Sequence, residues 1–284
     1  MSYKELWQCL TKVYDEGEAK AIARMTYEER FGLTLSDIYL GKDTQLSADC
    51  QTELEEIAKR LLQGEPIQYI LGHADFCGRT FMVNEHVLIP RPETEELCCF
   101  IEEGGMRKEE GDYSILDIGT GSGCIAITLA AMNPEAQVYG WDISAEALKV
   151  AEENARRNNV HVSFEQVDVL NCQLSIINCQ FDLIVSNPPY ICNKEREAME
   201  SNVLEHEPHT ALFVPDDDPL LFYRAIAQYS TTALKNDGWL YFEINPLYAE
   251  PLRQMLCAMR FCRIEIKEDQ YGKQRMIRAQ RSEK

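Results

Sequence analysis

Apolar residues recur at helical intervals through the first sixty positions. Leu6, Leu10, Val13 and Tyr14 fall on one such face, and Leu54, Ile57, Ala58, Leu61 and Leu62 on another. Ser47 is placed to cap the second helix, and Gly64 followed by Pro66 ends it. Glycine and proline are sparse here, so residues 1–66 are predicted to form a small helical domain. The pattern then changes. Ile67–Leu71 and Arg79–Val83 run apolar or alternate, with Cys77-Gly78 before the second run, which predicts a hairpin linker within residues 67–92. Prolines at 90 and 92 hold off a helix until Glu93, and Glu95–Ile101 is predicted helical. Residues 104–112 read as a charged loop.

From Ser114 onward strand-like and helix-like stretches alternate. Strands are predicted at Ser114–Ile118, Gln137–Trp141, His161–Gln166, Phe181–Val185 and Trp239–Ile244. Helices are predicted at Cys124–Met132, Ala145–Arg157, Leu220–Leu234 and Tyr248–Met259, and Phe261–Lys267 with Gln274–Ala279 form a closing hairpin. Such alternation predicts an α/β domain over residues 93–284, with a parallel sheet and helices on both faces.

Composition changes this picture in a few places. A chain of 284 residues is long enough for two domains with real cores. Its net charge of −19 repels a phosphate backbone and so disfavours a nucleic-acid partner, short of a local basic cleft; it also aids solubility. The eleven cysteines are odd in number, form no C-x-x-C pair, and in places lie inside apolar runs, as Cys124 and Cys257 do. That usage predicts reduced, buried thiols and a cytoplasmic location. His206-Glu207-Pro208-His209 lacks the spacing of a zinc-binding helix and carries a proline, so no metal is expected. Met1–Lys20 has no apolar core of the signal-peptide kind, and no run approaches the roughly 18 apolar residues that cross a bilayer, so no membrane contact is expected.

Candidate chemistry lies in two places. Open parallel sheets bind ligands at the carboxyl ends of their strands, and Asp117-Ile118-Gly119-Thr120-Gly121-Ser122-Gly123 stands at such an end. Gly119 and Gly121 permit left-handed backbone and close approach, and the helix that follows offers free N–H groups. Position 124 is cysteine, so the dinucleotide pattern G-x-G-x-x-G fails. G-x-G-x-G after an acid is the form of methyltransferases that use S-adenosylmethionine. Asp142, ending the next strand, is suited to accept both ribose hydroxyls; alternatively Asp142 or Ser144 simply caps the following helix. Asp168 after the third strand is placed for an adenine amino group, with Val169 on the purine face, or else is a surface loop acid.

The second place is Asn187-Pro188-Pro189-Tyr190, after the run Phe181–Val185. An amide nitrogen is a poor nucleophile because its lone pair is delocalised. Two acceptors on its N–H bonds, the Asn187 side-chain oxygen and the Pro188 carbonyl, turn the lone pair toward an electrophilic methyl and favour the charge that builds on nitrogen. No base is needed before attack, because the methylated nitrogen is strongly acidic. The prolines fix φ and offer no competing donor, and Tyr190 can lie flat on the planar group. The alternative is a plain turn after a strand.

These residues resemble bacterial peptide chain release factor N5-glutamine methyltransferases. The likeness runs from Gly64-Glu65-Pro66-Ile67-Gln68-Tyr69-Ile70-Leu71-Gly72 through Ile89-Pro90-Arg91-Pro92-Glu93-Thr94-Glu95, Asp117 to Gly123, Asp142 and Asn187 to Tyr190. It continues in Glu207-Pro208, Ala211-Leu212 and Phe222-Tyr223-Arg224. The tetrapeptide alone is shared with adenine and cytosine amino methyltransferases; the proline-arginine segment is more specific. The resemblance implies a class I S-adenosylmethionine-dependent methyltransferase, with a Rossmann-like, mostly parallel seven-stranded sheet and a small N-terminal helical domain that docks the substrate. It implies a class 1 release factor as protein substrate, methylated on the glutamine of its Gly-Gly-Gln motif, S-adenosylhomocysteine as product, and a monomer. Gly119, Thr120, Gly121, Ser122, Gly123, Asp142, Asp168, Val169 and Asn187 are then expected at the cofactor, and Asn187, Pro188, Pro189 and Tyr190 at the glutamine. Arg91 and Glu93 are expected at the site's mouth, unless their segment is an interdomain strap. Three positions depart from the family. Val169 replaces a frequent aromatic, Pro215–Pro219 replaces a glycine-containing turn, and Asn245 stands where glycine is frequent. The competing readings are a nucleic-acid amino-group methyltransferase with a flipped base, and a non-enzymatic binder of S-adenosylmethionine.

Overall fold

The computed structural model describes residues 1–104, 113–171, 180–199 and 201–282. The charged loop predicted at 104–112 lies, beyond Gly104, outside the described residues. The chain forms two compact units, one of Met1–His73 with Met199–Glu207 and one of Ala74–Ala198 with Pro208–Lys284.

The first unit is helical. Ser2 and Glu5 form a capping box that starts α1 (Tyr3–Leu10), and Asp15 caps α2 (Glu16–Met25). A π-helical turn at Thr26–Arg30 and α3 (Leu35–Tyr39) lead to α4 (Ala48–Leu62), which Ser47 caps through the N–H of Cys50. Leu6, Leu10, Tyr27, Leu54 and Leu61 are its fully buried centre. Val13 departs from the expected face: α1 stops at Leu10, and Val13 is 46% exposed in the turn beyond it.

The stretch Ile67–Leu71, expected as a strand, is a helical turn, α5. Five apolar residues in a row fit either structure, and the flanks decide. Pro66 starts the turn, and Gly72, at φ +80°, ends it in left-handed conformation with its N–H on the Gln68 carbonyl. The first hairpin strand instead lies one step later, β1 (His73–Phe76), joined to β2 (Arg79–Met82) by Cys77-Gly78. Both turn residues have positive φ, as a two-residue hairpin turn of the twist-matching kind requires.

The second unit continues with α6 (Pro92–Glu103), β3 (Ser114–Ile118), α7 (Cys124–Met132), β4 (Gln137–Asp142), α8 (Ala145–Arg157), β5 (Ser163–Gln166) and β6 (Phe181–Ser186). A two-residue strand β7 (Ile191–Cys192) pairs in parallel with β8 (Phe213–Val214), and between them α9 (Ser201–His206) belongs to the first unit. Then follow α10 (Leu221–Ala233), β9 (Leu234–Glu243), α11 (Ala249–Ala258), β10 (Phe261–Glu268) and β11 (Gln274–Arg281). The large sheet has seven strands in the order β10-β11-β9-β6-β3-β4-β5. The five from β9 to β5 are parallel, and β11 and β10 add antiparallel at one edge.

Buried side chains alternate between the two faces. Ile115, Leu183 and Val185 pack under α6 and α7, whereas Leu116, Ile118, Ile184 and Phe242 pack under α10 and α11. Both faces are covered, so β3 and β6 bury consecutive residues rather than alternate ones. Strand order reverses at β3, whose neighbours β4 and β6 are followed by connections on opposite sides. The crevice outside the carboxyl ends of these strands is where such sheets take ligands.

Candidate active site

The glycine turn after β3 is held from behind. Gly119 and Thr120 both donate their N–H to the Trp141 carbonyl, at 2.8 and 2.9 Å, and Gly123 donates to Thr120. Gly119, Gly121 and Gly123 all have positive φ. They serve differently. A Cβ on Gly119 or Gly121 would meet nothing within 4 Å, so open space lies in front of the backbone. A Cβ on Gly123 would stand 2.9 Å from Ile127 Cδ1 and 3.2 Å from Ala151 Cβ, so this glycine lets α7 approach α8.

Behind the turn lies Asp117, fully buried. Its Oδ2 accepts from Thr120 Oγ1 at 2.7 Å and from the Ala126 N–H at 3.3 Å, and its Oδ1 has no partner among the described residues. Burial pushes its pKa up to about 7, and the two donors only partly offset this. Thr120 and Ser122 are thus buried on the inner side of the turn.

Asp142 ends β4 and braces the turn from the front. Its Oδ2 accepts the Gly121 N–H at 2.8 Å and its Oδ1 accepts the Ser144 N–H at 2.9 Å. The Ile143 N–H acts on the same carboxylate, which still has acceptor capacity to spare. Desolvation raises its pKa above the usual carboxylate range, against the pull of those N–H groups. The question of the helix cap is resolved: Ser144 caps α8 through the Ala147 N–H. Asp168 closes its own turn, accepting from the Leu170 N–H and from Asn171 Nδ2.

A cavity of about 360 Å³ opens in front of the ends of β3, β4, β5 and β6. Gly119, Gly121, Asp142, Asp168, Val169, Asn187, Pro188 and Pro189 line it, joined by the exposed Ile143. Of the remaining predicted site residues, Thr120, Ser122, Gly123, Tyr190, Arg91 and Glu93 are not among its described walls. Arg91 precedes α6, and Glu93 lies in its first turn, near enough for its charge to act on Tyr190 and Glu243.

The strand-end loop of β6 is fixed by polar contacts that the sequence did not announce. Ser186 is fully buried and donates to the Ile118 carbonyl at 2.6 Å, tying β6 to the start of the glycine turn. Asn187 Nδ2 donates to Thr94 Oγ1 at 3.1 Å. Thr94 donates in turn to Glu243 Oε2 at 2.6 Å, and Tyr190 donates to Glu243 Oε1 at 3.0 Å. Among the described residues nothing donates to Asn187 Oδ1 or to the Pro188 carbonyl. Glu243 is buried, and desolvation raises its pKa against the hydrogen bonds from Thr94 and Tyr190. Tyr190 packs on the sheet core as well, so its hydroxyl and much of its ring are already engaged. Asn245 now has a structural role. Its Nδ2 donates to the Tyr190 carbonyl at 3.1 Å and to Glu195, and its Oδ1 accepts the Leu247 N–H.

The model described as "PrmC N-terminal domain" matches residues 4–72, and the one described as "Methyltransferase domain" matches residues 109–217. A release factor glutamine methyltransferase of Bacteroides thetaiotaomicron is 45% identical over 274 residues, covering 96% of this chain and 97% of the relative. One from Flavobacterium psychrophilum is 43% identical over 272 residues, covering 95% of each. The chain belongs to the release factor glutamine methyltransferase family. As a solved structure, a methyltransferase of Pyrococcus furiosus superposes with a TM-score of 0.53 at 16% identity, over 79% of this chain and 98% of that one. That likeness concerns the fold alone, the class I methyltransferase sheet described above.

Membership of this methyltransferase family implies S-adenosylmethionine as methyl donor, and the crevice fits it. Open space stands before Gly119 and Gly121, acceptor sites remain on Asp142, and apolar walls flank Asp168. Among the described residues no cluster of histidine, cysteine and carboxylate side chains is suited to a metal ion, and no helix is long and apolar enough to cross a membrane.

Proposed function

We propose that this enzyme methylates the side-chain amide nitrogen of the glutamine in the Gly-Gly-Gln motif of class 1 peptide chain release factors. The reading is supported by Asn187 and Pro188 lining the cavity, with Asn187 Nδ2 bonded to Thr94 and no donor on Asn187 Oδ1 or the Pro188 carbonyl among the described residues. Two acceptors and no donor suit an NH2 group. S-adenosylmethionine supplies an electrophilic methyl on sulfur. The chain's own part is orientation. Asn187 and Pro188 hold both N–H bonds, so the nitrogen lone pair faces the cofactor end of the cavity, and the developing positive charge meets two carbonyl dipoles. The proton is lost to water after transfer. Gly119 and Gly121 allow close approach of the cofactor, Asp142 accepts its ribose hydroxyls, and Asp168 with Val169 borders its base. Pro189 closes the wall beside the glutamine, and the helical first unit docks the release factor.

The net charge of −19 weighs against a nucleic-acid substrate in the same tetrapeptide. The test is to incubate the enzyme and labelled cofactor with a class 1 release factor, with the same factor bearing glutamate in place of the motif glutamine, and with DNA. Mass spectrometry is expected to find one methyl on the motif glutamine alone. Transfer to DNA with none to the release factor would overturn the reading.

A further inference from the structure

An asparagine side chain presents an oxygen or an NH2 group, depending on which way its amide is turned. Only one orientation of Asn187 can accept a hydrogen bond from a substrate NH2. Free rotation about the last bond of that side chain would leave the site part of the time with donor facing donor. Something must choose.

The contacts around Asn187 choose by elimination. Glu243 is 2% exposed, and each of its two carboxyl oxygens accepts a hydrogen bond. It takes two hydrogen bonds, one from the Tyr190 hydroxyl at 3.0 Å and one from the Thr94 hydroxyl at 2.6 Å. A threonine hydroxyl has a single proton, and here that proton points at Glu243. What Thr94 Oγ1 then offers to Asn187, 3.1 Å away, is a lone pair. Only the Nδ2 of Asn187 can meet it. Turned the other way, Asn187 would set its oxygen against the Thr94 oxygen, two acceptors with no proton between them, at a site where Thr94 is 3% exposed.

We propose that Glu243, acting through the hydroxyl of Thr94, is the positioning residue that holds Asn187 with its oxygen toward the substrate amide. The inference rests on the functional reading above and deepens it. Neither Glu243 nor Thr94 touches the substrate. They set the polarity of the group that does. The same polarity sets specificity: two acceptors receive glutamine, whose amide nitrogen donates, and repel glutamate, whose carboxylate does not.

Glu243→Gln conserves shape and reverses the logic. Its amide oxygen goes to the Tyr190 hydroxyl, so its NH2 faces Thr94 and takes the Thr94 lone pair. The Thr94 proton is then released toward Asn187, which turns its oxygen inward and its NH2 into the cavity. The expected results are a kcat lower by about 100-fold, a loss typical of a misplaced hydrogen-bonding group at a reacting centre, and a cofactor Kd within about threefold of wild type. Preference in binding affinity for a release factor bearing the motif glutamine over one bearing glutamate is expected to fall by about tenfold, because a donor now faces the cavity. Thr94→Val should lower kcat similarly, and Thr94→Ser, which keeps the hydroxyl, should restore it. Packing defects alone predict neither the serine rescue nor the shift in preference.

A second measurement does not need turnover. In the wild type the Asn187 side-chain NH2 is held by Thr94, so its protons exchange slowly with solvent. In Thr94→Val they should exchange at least about tenfold faster, as a buried hydrogen bond is lost. Wild-type kcat and preference in Glu243→Gln and Thr94→Val, or an unchanged exchange rate in Thr94→Val, would overturn the inference. Should the wild type fail to methylate a release factor while the exchange rates differ as expected, the functional reading fails and the positioning role stands.

Discussion

Asn154 pairs with the backbone of Met82 as a neighbouring strand would. Its Oδ1 accepts the Met82 N–H at 2.6 Å and its Nδ2 donates to the Met82 carbonyl at 2.9 Å. The same Nδ2 donates to the Ser122 carbonyl, also at 2.9 Å. One fully buried side chain on α8 therefore ties the β1–β2 hairpin to the back of the glycine turn. Met82 is the last residue of an edge strand, and without Asn154 its backbone groups would be left half-buried and unpaired.

Asn154→Leu keeps the branched shape and removes all three hydrogen bonds. A destabilisation of about 3 kcal/mol is expected, because each group left behind is poorly placed to regain water. Denaturant titration measures it, and hydrogen exchange at the Met82 N–H should rise with it. A loss below about 0.5 kcal/mol, the range of an ordinary surface change, would show that the latch carries no stability.

Asp142 accepts the Gly121 N–H on one oxygen and the Ser144 N–H on the other, and the Ile143 N–H acts on it as well. Replacing it by asparagine puts an NH2 against one of those N–H groups and removes the charge. The cofactor Kd is expected to rise by about 10- to 100-fold, the worth of charge-assisted hydrogen bonds, with kcat at saturating cofactor changed far less. Isothermal titration with S-adenosylhomocysteine reads the affinity directly. A Kd within twofold of wild type would remove Asp142 from the cofactor site.

Asn187→Ala leaves the Pro188 carbonyl as lone acceptor. Turnover on a release factor should fall by about 100- to 1,000-fold, as when one oriented group is deleted from a charge-stabilising pair. The fall should appear in kcat rather than in the cofactor Kd. Full turnover in this variant would sink the two-acceptor account.

How much of this was legible in the chain differs from element to element. The helices Cys124–Met132 and Ala145–Arg157 were readable to the residue, because Gly123 and Ser144 mark their starts and apolar residues run uninterrupted or at helical spacing between. The glycine turn and the tetrapeptide were readable for the same reason: each is a local pattern at a strand end. Ile67–Leu71 was misread because an apolar run is silent about its own conformation, and Pro66 and Gly72 were the better signals. Thr94 and Glu243 were seen as letters but given no role. They meet across 149 residues, and only the placement of α6 beside the end of β9 joins them. A glutamate closing the apolar run Leu240-Tyr241-Phe242 at a strand's carboxyl end was the one hint, since a charge is buried at the ligand edge of such a sheet only for a reason. Asn154 had no such signal. A polar residue late in an amphipathic helix reads as solvent-facing until the hairpin packs on it.

Asp117 gives the pH dependence. Burial lifts its folded pKa to about 7 from the ordinary 3.8, so the folded state holds a proton that the unfolded chain has already lost. Below the unfolded value both states are protonated and there is no cost. As pH rises from about 4 to about 7 the folded state binds more protons than the unfolded one, and stability falls; above about 7 the full cost of a buried carboxylate is present. The size is on the order of 4 kcal/mol. Groups with lowered pKa values, such as Asp269 and Asp218, act in the opposite direction at more acid pH, so the test is a difference between two proteins. Asp117→Asn keeps an oxygen for Thr120 and for the Ala126 N–H and carries no charge at any pH. Stability measured by denaturant titration without cofactor is expected to fall more steeply between pH 5 and pH 7 in the wild type than in the variant. Parallel curves would mean that Asp117 titrates at the ordinary pH despite its burial, and that its unpartnered oxygen is reached by water.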